Sequence, residues 1–480
     1  MKNNGMVKEI PSRTERFSDW YTAIVLKAEL ADYAPVRGCM VIRPYGYALW
    51  ENMKERLDRR FKATGHTNAY FPMLIPEGLL KKEAEHVEGF APQVAWVTHG
   101  GDNKLTERFA LRPTSEAIIN TMYAKWVKSY RDLPVLINQW CNIVRWEKAT
   151  RLFLRTMEFL WQEGHTLHRT QDEAQEEARR ILDIYVDFVE NDLAIPVLSG
   201  LKPESEKFPG ALTTYTIEAM MPDGQALQAG TSHNLGQHFS EAFDIRFLDK
   251  DNIEKRPWGT SWGVSTRLIG GLIMTHGDDR GLFLPPRVAP IQAVIVPILF
   301  GKNDDMVLAK CHDALKALEG LRIRLDDRKN QTAGWKFNQY EMMGVPVRIE
   351  IGPKDVKKDE VVLVPRDGSA KRSVKFTEIM SELEKLLDQI QNNMLEQARQ
   401  HLAQMTSEAS SIEEFKKKLI AKPGFIRVHW CGSQKCEDKL IDETKTTPRV
   451  MVLDEQGKTK GKCICCGKET DTVIYYARTY

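Results

Sequence analysis

The segment from Thr213 to Ala229 constrains the fold more than any other. Thr213 to Met221 alternates like a half-buried strand, Pro222-Asp223-Gly224 supplies a turn, and Gln225 to Ala229 reads as the returning strand. Strands joined by so short a turn run antiparallel, because parallel neighbours need a crossover of about a dozen residues or more. The chain also carries no Walker loop and no usable dinucleotide fingerprint. A doubly wound nucleotide fold is therefore disfavoured, and antiparallel strands are expected.

The helices around those strands have recognisable starts. Pro44 to Phe61 reads as an amphipathic helix opened by proline, with Tyr47, Trp50, Met53, Leu57 and Phe61 on one face. It leads to a strand from Ala69 to Ile75 that stops at Pro76. Thr170 precedes Glu173 by three residues, the spacing of a capping box, and opens a helix that runs to Glu190.

At 480 residues the chain exceeds one ordinary core, so two or three domains are expected. The run Pro285-Pro286-Arg287-Val288-Ala289-Pro290 is stiff enough to act as a linker after a first domain of residues 1–284. A strand from Ile291 to Leu299, a helix from Asp304 to Leu318 and strands Val345 to Ile351 and Val361 to Val364 then suggest a small α/β domain over 285–405. The stretch from Phe376 to Lys418 reads as charged and helical, and a cysteine-rich domain closes the chain over 406–480.

Five of the eight cysteines lie in the last 50 residues. Cys431 and Cys436 form one pair and Cys463 and Cys466 the other, with Cys465 a rival for the second. Four thiolates in two close pairs fit a tetrahedral structural zinc site better than disulfides in an intracellular chain. The balance of 68 basic and 66 acidic residues argues neither for nor against nucleic acid. No signal peptide and no run of roughly 18 apolar residues is seen, so a soluble cytoplasmic protein without membrane contact is expected.

Three pieces carry chemistry. Leu111-Arg112-Pro113-Thr114-Ser115-Glu116-Ala117 places small polar residues and a carboxylate at the mouth of a helix, where a plain N-cap would also serve. Cys141-Asn142-Ile143-Val144-Arg145-Trp146-Glu147 is an apolar strand that delivers an arginine and a glutamate at i and i+2, on one face of a sheet. A structural ion pair is the plain alternative. Trp258-Gly259-Thr260-Ser261-Trp262-Gly263-Val264-Ser265-Thr266-Arg267 is glycine-rich and ends on an arginine, suited to backbone approach to a ligand or to close helix packing.

In this order the pieces resemble the motifs of class II aminoacyl-tRNA synthetases, and among them the prolyl-tRNA synthetases. Arg145-Trp146-Glu147 is similar to the second class motif, Arg267 with its glycines to the third, and the helix and strand ending at Pro76 to the first. Thr114-Ser115-Glu116, Phe159-Leu160-Trp161-Gln162-Glu163-Gly164-His165 and Gln228-Ala229-Gly230-Thr231-Ser232-His233-Asn234-Leu235-Gly236 resemble segments specific to the prolyl group. The resemblance spans essentially the whole chain, including the closing Tyr480. It implies an α+β catalytic domain with an antiparallel sheet flanked by helices, an α/β anticodon-binding domain and a small α+β zinc-binding domain, assembled as a homodimer through the first motif.

The implied reaction joins the carboxylate of L-proline to the α-phosphorus of ATP, releases pyrophosphate, and then loads proline on the 3′ end of tRNA(Pro). A carboxylate is ionised at neutral pH, so no general base is required; alignment and positive charge are. Arginine supplies both through its planar fork. By the resemblance, Arg145 bridges the substrate carboxylate and the α-phosphate, and Arg267 holds the γ-phosphate. Arg155, Thr156, Gln228, Thr231 and Ser265 complete the ATP site, Glu147 faces the adenine amino group, and Mg2+ accompanies ATP. Thr114 and Glu116 accept from the proline nitrogen, while Phe90, Trp161 and His233 wall its ring. Phe337, Glu341, Arg348 and Lys354 are implied for the anticodon, and the Tyr480 carboxylate for a position near the active site. One methylene is worth only about 1–3 kcal/mol, so misactivation of alanine or cysteine is expected. Only 119 residues separate Glu147 from Arg267, which leaves little room for the large inserted editing domain that some relatives carry. A relative specific for threonine or glycine, or a binding protein that has lost catalysis, is the rival; the Thr114-Ser115-Glu116 and His233 segments argue against the first, and the intact arginines against the second.

Overall fold

The computed structural model describes residues 10–86, 93–301 and 303–480. Among the described residues the largest sheet has eleven strands, and seven of them come from the first 284 residues. From one edge these are Thr67–Asn68, Val135–Val144, Glu158–His168, Trp258–Ser265, Gln225–Gly236, Thr213–Met220 and Val197–Leu201. All neighbours are antiparallel except the short edge strand. The hairpin expected at Pro222 to Gly224 is present, but Thr213–Met220 is buried almost throughout rather than half-buried, because both sheet faces are covered.

One cover is the helix Gln171–Asp187, opened by the Thr170–Glu173 capping box, in which each residue's side chain accepts from the other's backbone N–H at 3.2 Å. Its last turn widens into a π-helical turn, Phe188–Asp192. The helix Pro44–Ala63 buries Trp50, Met53, Leu57 and Phe61 as expected, but Tyr47 stays 45% exposed. Tyr45 takes the inward place, donating its hydroxyl to Met343 O at 3.0 Å. The strand expected over 69–75 divides in two. Thr67–Asn68 pairs with the main sheet and Leu74–Pro76 with a separate three-stranded sheet. Pro72 has no N–H to give a ladder there, and the Phe71 N–H goes to the Gln139 side chain at 2.6 Å.

The second block holds a five-stranded sheet in the order Ile323–Leu325, Ala293–Pro297, Val347–Ile351, Glu360–Pro365, Arg372–Lys375, the first three parallel. The proline run before it is held to both blocks. Val288 O accepts from Asn52 Nδ2 at 2.9 Å, and Arg322 donates to Pro286 O and Ala289 O, so the run cements the two blocks.

The stretch from Phe376 to Lys418 is not one helix. Ile379–Gln404 ends before a strand, Thr406–Glu408, and a new helix, Ile412–Ala421. That strand opens the remaining four of the eleven, ordered Thr406–Glu408, Phe425–His429, Val473–Thr479, Thr447–Val452. The last of these pairs with Val197–Leu201, Val452 facing Gly200 and Met451 facing Leu201. The strand Val473–Thr479 also runs parallel to the hairpin's returning strand Gln225–Gly236, with Gln225 facing Arg478. The third block therefore extends the first block's sheet rather than standing apart.

Candidate active site

The strand period of two turns a row of side chains to one side of the sheet. Trp161, Glu163 and His165 follow one another at i, i+2 and i+4 and lie across from Ser265, Gly263 and Ser261. Ser261 in turn faces His233, and His233 faces Thr214. All of these line one cleft of about 300 Å³, together with Thr114, Glu116, Arg145, Gln228, Thr231 and Arg267. Residues drawn from six separate segments thus converge on one site.

The arginines come from different elements. The Glu158–His168 hairpin partner ends at Val144, so Arg145 sits just beyond the strand rather than on it. Its Nε donates to Pro113 O at 3.1 Å, and its guanidinium lies 5.4 Å from the Trp161 ring centre. Arg267 opens the helix Arg267–His276, with its Nε donating to Leu154 O at 3.2 Å and its backbone N–H to Ser265 Oγ. Burial, then the fields of Arg145 and Arg155, pull the Arg267 guanidinium below its ordinary pKa. Mutually repelling cations held together in this way favour an anion between them. Gly270 serves packing rather than a ligand, since a Cβ there would meet Leu154 Cδ2 at 2.4 Å.

Thr114 donates its hydroxyl to the Glu116 carboxylate, where the helix Glu116–Trp126 begins. The buried Glu163 carboxylate accepts from Ser115 Oγ, from Gln139 Nε2 at 2.8 Å, and pairs with His165 Nε2 at 3.0 Å. Burial would raise the Glu163 pKa, but His165, Ser115 and Gln139 hold it low. His165 is raised, because Glu163 outweighs its burial. His233 has no such partner. Burial, then the nearby His165, drop it to about 3, so it is a neutral ring that meets Thr214 Oγ1 at 3.0 Å and lies against Phe208, with ring centres 4.7 Å apart.

Three expected ATP residues stand outside the cleft lining. Glu147 and Arg155 pair at 2.8 Å on the loop after Val144, and Thr156 is buried, donating to Glu158 O at 2.7 Å. Phe90 lies outside the described residues. The Tyr480 hydroxyl donates to Asp223 Oδ2 at 2.7 Å, and its ring lies under Arg151, which bridges to Arg155. Residues 147–267 are occupied by the sheet strands and the helix covering them, with no inserted domain among them.

At the far end of the chain, the sulfurs of Cys431, Cys436, Cys463 and Cys466 lie within 4.8 Å of one another. Cys465 turns away and gives its thiol to Cys436 O at 3.1 Å. Burial opposes a Cys463 thiolate, but the backbone N–H groups of Cys466, Cys465 and Cys431 prevail and bring it to about 7. Four convergent sulfurs, one poised to ionise, are a donor set that could hold zinc.

Sequence comparisons match residues 96–276 to the "tRNA synthetase class II core domain (G, H, P, S and T)", 292–386 to "Anticodon binding domain", and 412–480 to "Prolyl-tRNA synthetase, C-terminal". A proline–tRNA ligase of Natranaerobius thermophilus is 58% identical, with 100% of this chain and 99% of that protein covered. Proline–tRNA ligase 2 of Clostridioides difficile is 57% identical, with 99% and 98% covered. The crystal structure of prolyl-tRNA synthetase from Cryptosporidium parvum, complexed with halofuginone and AMPPNP, superposes with a TM-score of 0.93 at 40% identity, covering 98% of this chain and 99% of that one. The chain belongs to the prolyl-tRNA synthetases. It is an aminoacyl-tRNA ligase that activates L-proline with ATP and charges tRNA(Pro).

In this synthetase the four second-block residues singled out from the sequence have different partners. Arg348 lies 3.9 Å over the Phe337 ring and pairs with Glu350 at 2.8 Å. Glu341 pairs with Arg280 of the first block at 3.2 Å, and Lys354 is exposed on the helix Pro353–Lys358. Sequence reasoning missed Glu163, His165, Lys202, Phe208 and Thr214 in the cleft. For Glu163 and His165 the signal was present, since both keep the two-residue period of Trp161.

Proposed function

We propose that the cleft is where this prolyl-tRNA synthetase forms prolyl-adenylate, with Arg145 and Arg267 as its catalytic residues. Arg145 holds the proline carboxylate against the α-phosphate, and Arg267 holds the γ-phosphate as pyrophosphate leaves. Gln228, Thr231 and Ser265 line the nucleotide side; Arg155, Thr156 and Glu147 close it from the loop, with Glu147 on the adenine amino group and Mg2+ on the phosphates. Thr114 and Glu116 accept from the proline ammonium, and Trp161, His233 and Phe90 wall the ring. The observation that carries this is the meeting of Arg145 and Arg267 with Thr114 and Glu116 in one cleft. Two paired forks and two acceptors match a zwitterion beside a triphosphate.

The same proposal assigns anticodon reading to Phe337, Glu341, Arg348 and Lys354 in a domain of residues 285–405, between a catalytic domain of 1–284 and a C-terminal domain of 406–480. Cys431, Cys436, Cys463 and Cys466 hold a structural Zn2+ that staples the third domain. The chain works as a homodimer; Tyr33, Val41 and Tyr47, exposed beside the first motif, support an apolar partner surface there. Among the described residues no helix is long and apolar enough to cross a membrane, which accords with a cytoplasmic location.

Proline-dependent ATP–pyrophosphate exchange tests the assignment. Arg145→Ala and Arg267→Ala are each expected to lose about two orders of magnitude or more in kcat/KM, the scale of removing a charged group that acts on the transition state. Exchange that survives either change, or runs faster with threonine or glycine, would refute it.

A further inference from the structure

Beneath the cleft lies a buried ion triad that joins two parts of the chain far apart in sequence. Glu218, in the middle of Thr213–Met220, is fully buried. Lys202, one residue past Val197–Leu201, lines the cleft and donates from Nζ to Glu218 Oε1 at 2.9 Å. Arg449, on the C-terminal strand Thr447–Val452, donates from Nε and Nη2 to Glu218 Oε2 at 3.1 and 2.9 Å, and from Nη2 to Oε1 at 3.1 Å. Thr216 Oγ1 completes the shell at 2.9 Å from Oε1.

The charges do not cancel. Within the triad two cations share one carboxylate, which leaves one unit of positive charge where fields reach further than in water; Glu206, also in the cleft lining, is a further carboxylate that acts on Lys202. An excess buried cation is costly unless an anion meets it. Glu218 and Arg449 also act on the Arg267 guanidinium, in opposite senses, Glu218 the more strongly. Arg449 donates to both Glu218 oxygens and Lys202 to one of them, so the single carboxylate charge is shared between two cations. The lysine therefore keeps attraction to spare.

We propose that Arg449 is a positioning residue of the active site, which frees the Lys202 ammonium to attract the polyphosphate of ATP. The C-terminal domain thereby helps set nucleotide affinity through a charge it places under the cleft. This rests on the cleft being the ATP and proline site. Proline is a zwitterion of no net charge, so it responds little to the same field.

ATP–pyrophosphate exchange on the full chain, with KM measured separately for ATP and proline, tests the idea. Arg449→Gln keeps a donor to Glu218 but removes the charge. It is expected to raise the ATP KM about tenfold, the scale of one charge acting across several ångströms at intermediate dielectric, and the proline KM less than about twofold. Arg449→Lys restores the charge and should restore the ATP KM. Lys202→Gln should reproduce the ATP effect, and the double variant should add little to either single one. An unchanged ATP KM in Arg449→Gln, or equal rises for ATP and proline, overturns the proposal and marks Arg449 as a docking contact. Should Arg449→Gln melt below the assay temperature, the other two variants decide. A raised ATP KM in Lys202→Gln that is spared in Arg449→Lys supports it, and an ATP KM indifferent to Lys202→Gln overturns it. Absence of proline-dependent exchange in the unmodified chain would instead count against the reading of the cleft.

Discussion

Glu163 and His165 form an ion pair of 3.0 Å inside the sheet's cleft-facing row, both almost wholly buried. Removing one member strands the other, so His165→Gln or Glu163→Gln alone is expected to cost about 3–5 kcal/mol. The double variant should cost less than the sum. The pH dependence has two limbs. The lowered Glu163 contributes stability above an ordinary carboxylate pKa of about 4.3, and loses it as pH falls through its folded value. The raised His165 contributes fully below about 6.5, and loses its share as pH rises through its folded value. The stability gap between the wild-type chain and the double variant should therefore peak between those limits in urea melts taken across pH. A flat gap would mean that the pair is not ionised.

Glu116 begins its helix with a carboxylate that already accepts the Thr114 hydroxyl, so the two side chains line the cleft together, where the proposed function puts the proline nitrogen. Hydrogen bonds to charged groups are worth about 1.5–3 kcal/mol. Thr114→Val and Glu116→Gln should each raise the proline KM in exchange assays by about 10- to 100-fold, with the ATP KM changing much less. Equal effects on the two substrates would point to a collapsed helix start instead.

Local signals in the sequence were dependable where they rest on chain-local physics. The Thr170–Glu173 cap, the Pro222-Asp223-Gly224 hairpin and the proline-opened helix all appear in the structure because each is decided within a few residues. Tyr47 and Tyr45 changed places because one turn of helix meets the second block, which no periodicity at residues 44–61 can report. Glu218 is the sharper case. A glutamate in an alternating strand reads as solvent-facing, and its burial depends on Arg449, 231 residues away. Pairing of the C-terminal strands with the catalytic sheet is equally non-local, so blocks that read as separate are joined. Glu163 and His165 could have been found from their spacing, but charged side chains on a buried row disguise that row as surface.

The four clustered sulfurs and the turned-away Cys465 separate two roles for adjacent cysteines. Cys463→Ser should abolish bound zinc, measured by atomic absorption on the purified chain, and lower the melting temperature of the C-terminal domain. Cys465→Ser should keep one zinc per chain. Zinc lost from Cys465→Ser and retained by Cys463→Ser would reverse the ligand assignment.

Gly200 is one point at which the C-terminal domain meets the catalytic sheet. A Cβ built there would stand 2.1 Å from Met451 O, a backbone atom that cannot move without disturbing the strand pairing. Gly200→Ala should therefore part Val197–Leu201 from Thr447–Val452, with a stability loss of about 1–3 kcal/mol, the usual cost of overpacking. Amide exchange in Thr447–Val452 should rise more than in Glu158–His168, because the opening is local to one seam. The seam also carries Arg449 to Glu218, so the ATP KM should rise in the same variant while the second block's exchange stays unchanged. Uniform loss of protection across the chain would show instead that the seam and the sheet unfold as one unit.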